Sequence, residues 1–371
     1  MPKLIYASVK NSDMFYATKA SAHDPFFYLD TDDKKYVFLD HRELEVFKEK
    51  NKNPKIEAVL LNPLLLEVSK NKTKTKQANK LALLILKKYK LIGKKIFVPN
   101  SFPLDMADFL RAKGVKLIPQ NPFFPERENK TKEEVENVRE NMRRLCKAFD
   151  YIEKILKESK IKGDEIKYKN KTLTSEILKK EVELILLQQG LMNVAGMIIS
   201  CGSQAAIPHH EGAGILRPNQ TIICDIYPMS NINNYFCDMT RTYVKGTPSK
   251  EIKNIYKAVL EAQEKAISTI RPGKTGKEIY QLCVDIFLAR GFHAGDRGFV
   301  HGTGHGLGID LHEDPYLNKF SQATLEEGNI FSVEPGLYYP EIGGVRIEDL
   351  VVVTKNGCEN LTKHHKKYII S

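Results

Sequence analysis

The chain has 371 residues and a mass of 42.3 kDa, which is more than one ordinary domain and predicts two. No apolar run approaches the length of a membrane span, since the longest candidate is "LALLIL" from Leu81, so we expect no membrane association. The net charge of +11 is compatible with nucleic-acid binding. The lysines, however, are spread over stretches such as "NKTKTKQANK" and "LKESKIKGDEIKYKNK", which we interpret as solvated helical faces. Because these stretches lack the interleaved aromatic residues of a nucleic-acid-binding surface, no nucleic-acid partner is expected.

The cysteines and the amino-terminal residues both indicate a reducing compartment. The six cysteines form no CxxC pair, which predicts free thiols. The first residues, "MPKLIYASVK", show no apolar signal region followed by a small-residue cleavage site. We therefore expect a cytoplasmic protein.

The first part of the chain alternates short apolar strands with helices, which is typical of an α/β domain. In chain order the predicted elements are strands at "KLIYAS", "FFYLD", "KYVFLD" and "EAVLL", a helix at "KQANKLALLILKKYK", a strand at "KKIFVP", a helix at "PLDMADFLRAKG" and a strand at "VKLIP". Three prolines in "PQNPFFP" then interrupt any regular element. They predict a boundary near residue 125, with domains of residues 1–125 and 126–371.

The second part mixes long helices with apolar strands, which indicates an α+β domain. Helices are predicted at about 132–157, 174–189, 250–270 and 275–290, and the last begins with a capping box formed by Thr275 and Glu278. The predicted strands are "VAGMIIS", "TIICDIY", "NIFSVEPGLYY" and "GVRIEDLVVVT".

The stretch "HGTGHGLGIDLHE", from His301 to Glu313, contains three of the ten histidines. His301 and His305 have the four-residue spacing of a helical zinc motif, but four glycines in eight residues disfavour a helix. The alternative is an extended or irregular segment in which the glycines let a ligand approach the backbone. Taken alone, these histidines are compatible with either metal binding or a structural role.

Acidic residues in strand-like apolar sequence favour the metal interpretation. Unpaired buried carboxylates are costly, and although Arg241 or Arg346 could pair with one, several of them beside a histidine call for cations. We predict two divalent metal ions, and an oxygen-rich site with one imidazole suits Mn²⁺, Co²⁺, Fe²⁺ or Zn²⁺. The acids are Asp225 in "TIICDIYP", Asp238 in "YFCDMTRTYV", Glu334 after "NIFSV", and Glu348 with Asp349 in "GVRIEDLVVV".

The second domain resembles the pita-bread metallopeptidases, which comprise aminopeptidase P, prolidase, methionine aminopeptidase and the metal-free creatinase. The matching strings are "CDIYP", "YFCDMTRT", "HGTGHGLGIDLHEDP", "SVEPGLY" and "VRIEDL". The resemblance implies a creatinase-like α/β N-terminal domain and an α+β pita-bread catalytic domain with a dinuclear site. By that likeness Asp238 and Glu348 bridge the two metals. Asp225 holds one metal, and His305 with Glu334 holds the other.

The sequence departs from the family pattern between the two aspartates. Asp225 and Asp238 are 13 residues apart, about two more than is usual, and "DIY" replaces the commoner Asp-x-Gly. We expect the loop "PMSNINN" to absorb the extra length and to lie near the cleft.

The resemblance also implies roles for residues that face the substrate. His209 faces the substrate amide or leaving group, His312 is a second substrate-facing imidazole, and His301 lies near the proline-side pocket. The neighbouring His210 is expected to be solvated or structural. Arg346 is expected to pair with a metal-bound acid or to meet the substrate carboxylate.

The implied activity is metal-assisted peptide hydrolysis, with Glu334 as general base and His312 or His209 stabilising the oxyanion. The added N-terminal domain resembles that of aminopeptidase P, prolidase and creatinase, which implies a homodimer that acts on short proline-containing peptides, with manganese favoured. We expect an Xaa-Pro aminopeptidase, because the polar, uncharged "PMSNINN" suits a longer peptide. The alternative is an Xaa-Pro dipeptidase in which Arg346 and His301 bind the substrate carboxylate. A catalytically inactive binding protein is disfavoured because all five ligands are present.

Overall fold

The computed structural model of the chain divides into two compact units, Met1–Pro125 and Glu126–Ser371, with a short 3₁₀ helix, Pro125–Arg127, where one follows the other. No helix among the described residues is long and apolar enough to cross a membrane. The start of the lysine-rich stretch "NKTKTKQANK", residues 71–73, lies outside the described residues. The structure describes residues 1–31, 33–51, 53–70 and 74–371.

The first unit is built from strands and helices that largely follow the predicted order. Its strands are β1 (Lys3–Ala7), β2 (Phe26–Asp30), β3 (Lys35–Leu39), β4 (Ile56–Leu60), β5 (Lys95–Pro99) and β6 (Lys116–Gln120). Its helices are α1 (Ser12–Thr18), α2 (His41–Lys50), α3 (Asn62–Ser69), α4 (Gln77–Lys88) and α5 (Leu104–Ala112).

The strands of this unit form one mixed sheet in the order β4-β3-β2-β1-β5-β6. Because successive side chains alternate between faces, Phe27 and Leu29 pack with α3, α4 and α5, whereas Phe26 and Tyr28 pack with α1 and α2. The unit is therefore an α/β domain with helices on both faces of its sheet, as predicted. Helices α1, α2 and α3, each of ten residues or fewer, were absent from the prediction.

The second unit has the α+β composition predicted for it. Its helices are α6 (Lys132–Glu158), α7 (Ser175–Gln188), α8 (Lys250–Thr269) and α9 (Gly276–Ala289), with a 3₁₀ helix at Gln204–Ala206. Its strands are β7 (Lys160–Lys162), β8 (Glu165–Tyr168), β9 (Lys171–Thr172), β10 (Leu191–Met192), β11 (Met197–Cys201), β12 (Ile222–Ile226), β13 (Met229–Ser230), β14 (Met239–Lys245), β15 (Gly304–Gly306), β16 (Glu313–Leu317), β17 (Ile330–Val333), β18 (Gly336–Tyr339), β19 (Gly343–Arg346), β20 (Asp349–Thr354), β21 (Gly357–Asn360) and β22 (Ile369–Ile370).

Two sheets carry the residues singled out in the sequence. One has the order β11-β12-β14-β22 and the other the order β16-β15-β17-β20-β21. The hairpin β18-β19 lies between β17 and β20 in the chain. Helices α8 and α9 pack on a core formed with β17, β18 and β20, in which Phe287, Phe331 and Val351 are fully buried. This core fixes the strands that flank Glu334 and Glu348.

Two details of the prediction for this unit are confirmed and two are wrong. The capping box of Thr275 and Glu278 is present at the start of α9, and the four predicted helices lie within two residues of their expected bounds. The stretch "LKESKIKGDEIKYKNK" is not helical throughout. After α6 it forms the hairpin β7-β8, whose turn contains Gly163 with a φ of +61°. The runs "NIFSVEPGLYY" and "GVRIEDLVVVT" each break into two strands, and the breaks contain Glu334 and Glu348.

Candidate metal centre

Two neighbouring antiparallel strands place Asp225 and Asp238 on the same side of their sheet. Asp225 of β12 lies opposite Thr240 of β14, and Asp238 precedes Thr240 by two residues. Residues two apart in an extended chain face the same way, so the two carboxylates point to a common region. Both side chains are buried.

His305 and Glu334 are brought together by Ser332 of β17. The Ser332 hydroxyl accepts a hydrogen bond from the main-chain N–H of His305 at 3.1 Å and donates one to Glu334 Oε1 at 3.0 Å. The His305 Nε2 atom lies 3.4 Å from Glu334 Oε1 and 3.8 Å from Asp238 Oδ2. His305 Nδ1 donates to the carbonyl oxygen of Gly306 at 3.0 Å, which leaves the Nε2 lone pair facing the acids.

The glycines beside His305 are required by the chain's own strands. A Cβ atom on Gly304 would lie 1.9 Å from the Ser332 carbonyl oxygen, so only glycine allows β15 and β17 to approach as they do. Gly302 and Gly304 also line the cavity described below. The prediction of an extended segment is therefore correct, but close strand packing accounts for Gly304.

Glu348 is positioned by the break between β19 and β20. Its main-chain N–H donates to the Thr240 carbonyl oxygen at 3.1 Å, and its Oε2 accepts from the Thr240 hydroxyl at 2.7 Å. This cross-connection directs the carboxylate towards Asp238. Among the described residues, Glu348 Oε1 and Asp238 Oδ1 are buried without a hydrogen-bond partner.

The donor set fits divalent cations. Asp238, His305 and Glu348 each offer one ligand atom, and these atoms all lie within 4.8 Å of one another. Burial, together with the neighbouring carboxylates, raises the pKa of Asp238 and of Glu348 well above the ordinary value, and it raises the pKa of Glu334 to about 7. Crowded buried acids with unpartnered oxygens are stabilised by metal ions, and burial keeps His305 neutral by lowering its pKa.

Arg346 connects Asp225 to a hydrogen-bonded chain on the other side of the site. Its Nη2 donates to Asp225 Oδ2 at 2.5 Å, and its Nη1 donates to the Tyr338 hydroxyl oxygen at 2.8 Å. The Tyr338 hydroxyl lies 2.8 Å from His301 Nε2, and His301 Nδ1 donates to the Gly302 carbonyl oxygen at 2.7 Å. Since that carbonyl fixes the proton on Nδ1, Nε2 accepts from Tyr338, and burial beside Arg346 lowers the pKa of His301 to about 3.

Tyr338 joins two of the expected site residues, His301 and Arg346, and sequence reasoning missed it. It lies in β18, four residues after Glu334, and it is buried. The signal available in the sequence was a tyrosine in the apolar run "GLYY", whose hydroxyl needs a partner when buried. That signal alone could not identify His301 and Arg346 as the partners.

The two other histidines expected to face substrate lie at the same cavity. His312 is exposed, and its ring packs against the ring of His305 with centroids 4.2 Å apart. His209 is also exposed and follows the 3₁₀ helix at Gln204–Ala206. His210 accepts a hydrogen bond at Nδ1 from the Gly212 N–H at 2.9 Å, which is a local structural contact.

All five expected ligands, together with His209, His301, His312 and Arg346, therefore line one cavity of about 500 Å³. Its walls also include Tyr227 and Asn318, which the sequence did not single out. The complete lining is Ala195, Ile198, Pro208, His209, Asp225, Tyr227, Asp238, His301, Gly302, Gly304, His305, Leu311, His312, Tyr316, Asn318, Glu334, Arg346 and Glu348.

Two features that the sequence analysis placed beside the expected ligands do not line this cavity. Asp349, grouped with Glu348 in the sequence, points elsewhere and pairs with Arg241 at 2.8 Å and with Lys366 at 2.9 Å. None of residues 228–234, the "PMSNINN" loop, is among the residues that line the cavity. The loop instead contains β13, whose main chain pairs with that of β10.

Comparison with known proteins identifies the family. The model of metallopeptidase family M24 matches residues 136–355. The chain belongs to metallopeptidase family M24. The match covers the strands that carry all five expected ligands, and it confirms the resemblance inferred from the sequence strings.

Individual relatives of this M24 member include proteins named Xaa-Pro dipeptidase. An Xaa-Pro dipeptidase of Pyrococcus furiosus is 33% identical over 234 residues, which cover 61% of this chain and 65% of that protein. The matched region thus spans a little under two thirds of this curated relative.

Solved structures extend the likeness over the whole chain. An Xaa-Pro dipeptidase from Bacillus anthracis has a TM-score of 0.83 at 25% identity, covering 100% of this chain and 95% of that one. An X-Pro aminopeptidase from Thermotoga maritima has a TM-score of 0.82 at 23% identity, covering 100% and 97%, and that likeness concerns the fold alone. The architecture is the α/β domain followed by the pita-bread fold, as predicted.

Proposed function

We propose that this M24 member is a dinuclear metallopeptidase that hydrolyses Xaa-Pro dipeptides. The observation that carries the proposal is the convergence of five metal-binding side chains, two of them with buried unpartnered oxygens, on one cavity that also holds three other imidazoles. We assign residues 1–125 to a creatinase-like N-terminal domain and propose a homodimer with manganese as the native metal.

Each side chain then has a role in hydrolysis. Two divalent ions held by the five ligands would supply an activated water at neutral pH and polarise the scissile carbonyl. The Glu334 carboxylate takes a proton from the attacking water and delivers it to the leaving proline nitrogen. The exposed imidazoles of His312 and His209 donate hydrogen bonds to the carbonyl oxygen as negative charge develops on it.

We propose a dipeptidase in place of the aminopeptidase that the sequence favoured. That preference rested on the "PMSNINN" loop, which does not line the cavity. The alternative gains support from the relatives named Xaa-Pro dipeptidase and from the buried chain of Arg346, Tyr338 and His301, which presents a cationic group at the cavity wall. The Arg346 guanidinium is paired with Asp225, and it becomes available to the free carboxylate of a dipeptide when a bound metal ion takes up the Asp225 carboxylate.

The deciding experiment compares an Xaa-Pro dipeptide with the matching Xaa-Pro-Yaa tripeptide on protein loaded with Mn²⁺. We expect kcat/KM to be at least about tenfold higher for the dipeptide, because a site built for a carboxylate is left with unpaired polar groups when that carboxylate is an amide. Equal or faster cleavage of the tripeptide would instead identify an aminopeptidase. Failure to cleave either peptide while both metals are bound would identify a binding protein.

The native metal is tested on protein purified without chelators. We expect Mn²⁺ to predominate in elemental analysis and to give higher activity than Co²⁺, Zn²⁺ or Fe²⁺ added to the metal-free protein.

A further inference from the structure

A second group of acids and histidines lies outside the dinuclear centre, where α6 meets the segment that leads to β22. Asp150 and Glu153 are one helical turn apart on α6, and His364 and His365 are adjacent in the segment that precedes β22. None of these four residues lines the cavity of the dinuclear centre. The Glu153 and His364 side chains are each only 3% exposed, so the group is anchored below the surface.

The ligand atoms of Glu153, His364 and His365 have the spacing of a coordination shell, and Asp150 approaches this group at His364. His364 Nε2 lies 3.3 Å from Asp150 Oδ1 and 3.7 Å from Glu153 Oε1, and His365 Nε2 lies 3.2 Å from Glu153 Oε2. Two ligands bound to one tetrahedral zinc ion at the usual bond lengths are separated by about 3.4 Å. Glu153, His364 and His365 also offer ligand atoms that all lie within 4.8 Å of one another.

The orientation of His364 reproduces that of His305 in the dinuclear centre. Its Nδ1 lies 3.1 Å from the main-chain carbonyl oxygen of His365, which can only accept, so the proton is on Nδ1. Its Nε2 is buried and has no hydrogen-bond partner among the described residues, although two carboxylates lie within 4 Å. A lone pair that faces carboxylates is unfavourable alone and becomes favourable when a cation lies between them.

We propose that Asp150, Glu153, His364 and His365 form a second metal site that binds one Zn²⁺ ion. Two imidazoles and two carboxylates suit zinc better than Mg²⁺ or Ca²⁺, which prefer oxygen ligands alone. The site is open to solvent on the side of Asp150 and His365, whose side chains are 70% and 45% exposed. A bound ion would tie the carboxyl-terminal segment to α6.

Nearby positive charges limit the affinity of this site without blocking it. Lys157 Nζ lies 2.9 Å from Glu153 Oε2, but that side chain is 60% exposed and is free to move into solvent. The Arg241 guanidinium donates to the carbonyl oxygens of His364 and His365, and its charge is already paired with Asp349. His365 accepts the Lys367 N–H at Nδ1 over 3.2 Å, an exposed contact that would be given up when Nε2 binds the ion.

The alternative to a zinc site is a metal-free cluster of ion pairs. Variants at two positions distinguish these possibilities. Asp150→Asn removes an exposed ligand and leaves the buried residues intact, whereas His364→Gln removes the anchored imidazole. Glu158→Gln is the matched control, because it makes the same kind of change on α6 at an exposed carboxylate that pairs with Lys154.

The experiment equilibrates the full-length proteins with chelator-buffered Zn²⁺, removes free metal by gel filtration and measures zinc per chain. Zinc that enters the dinuclear centre contributes equally in every variant, so differences report the second site. We expect wild type and Glu158→Gln to hold about one zinc ion per chain more than Asp150→Asn or His364→Gln. Zinc should also raise the Tm of wild type more than that of Asp150→Asn.

The location is checked by anomalous diffraction at the zinc edge, which should give a peak among the four side chains. Equal zinc content in wild type, Asp150→Asn and Glu158→Gln would overturn the proposal and leave an ion-pair cluster. Because Asp150 is largely exposed, that comparison holds even where His364→Gln fails to fold.

Discussion

The rings of His305 and His312 meet edge to face, with their centroids 4.2 Å apart and their planes at 84°. Both rings line the cavity, but the buried ring of His305 directs Nε2 towards Asp238 and Glu334, whereas the ring of His312 is exposed. Two adjacent imidazoles thus have different surroundings. The proposed function gives them different tasks, and single substitutions separate those tasks.

His305→Ala should lose at least one metal ion and nearly all turnover while remaining folded. The reason is that His305 offers a ligand atom within 4.8 Å of those of Asp238 and Glu348, each of which has an unpartnered buried oxygen. Elemental analysis and circular dichroism of the purified variant measure both outcomes. A wild-type metal content would show that His305 is not a ligand.

His312→Ala should keep both metal ions but lower kcat by roughly two to four orders of magnitude, the range for a positioned proton donor or oxyanion partner. The measurement is steady-state kinetics on an Xaa-Pro dipeptide at full metal occupancy. If kcat remains near that of wild type, His312 only supports the ring of His305.

Tyr338→Phe should raise KM for the dipeptide more than it lowers kcat, with metal content unchanged. The variant removes the hydroxyl that joins Arg346 to His301, and unpaired buried polar groups of this kind cost about 1–3 kcal/mol each. We expect KM to rise about tenfold or more. Tyr339→Phe is the control, because the neighbouring hydroxyl accepts from the His293 N–H instead of joining Arg346 to His301. Equal effects of the two variants would mean that Tyr338 acts only on folding.

The cost of burying charge explains why the sequence identified the cavity residues. A carboxylate in an apolar run is unfavourable in any fold, so Asp225, Asp238, Glu334 and Glu348 stood out before their positions were known. The structure brings all four to one cavity with His305. The bounds of the four helices predicted in the second unit were equally accessible, because capping residues act locally, as at Thr275.

Features that depend on contacts between residues far apart in the sequence could not be predicted from the cost of burying charge or from capping residues. Glu348 and Asp349 are adjacent acids in one apolar run, yet one faces the cavity and the other pairs with Arg241. The choice is made by Thr240, which binds the main chain and the carboxylate of Glu348 from another sheet. The strand breaks and the pairing of β13 with β10 likewise depend on partners far away in the sequence.

Asp349→Asn tests this division between the neighbouring acids. Although burial alone would raise it, Arg241 and Lys366 hold the pKa of Asp349 below its ordinary value. Removing one partner of a buried ion pair costs about 3–5 kcal/mol, which corresponds to a Tm lower by roughly 6–20 °C in a domain of this size. Metal content should stay at the wild-type level, because Asp349 does not line the cavity. Loss of a metal ion without a change in Tm would place Asp349 in the metal centre instead.

Glu313→Gln should remove a pH-dependent part of the stability of the second unit. Glu313 Oε1 accepts from Arg127 at 2.9 Å, and Oε2 lies 3.3 Å from Lys130 Nζ. Burial alone would raise the pKa of this carboxyl, but Lys130 and Arg127 together hold it below its ordinary value. A carboxyl whose pKa is lower in the folded state stabilises the fold above its unfolded pKa of about 4.3, and this contribution is lost as the pH falls through the lower, folded value.

The difference in Tm between wild type and Glu313→Gln should therefore be largest near about pH 7 and should shrink as the pH falls below about 4. Differential scanning calorimetry over that range measures it. Glu158→Gln is the control, because this exposed carboxylate should leave Tm nearly unchanged at every pH. A Tm difference for Glu313→Gln that stays constant down to low pH would show that packing, rather than the charge held by Arg127 and Lys130, accounts for the stability at this position.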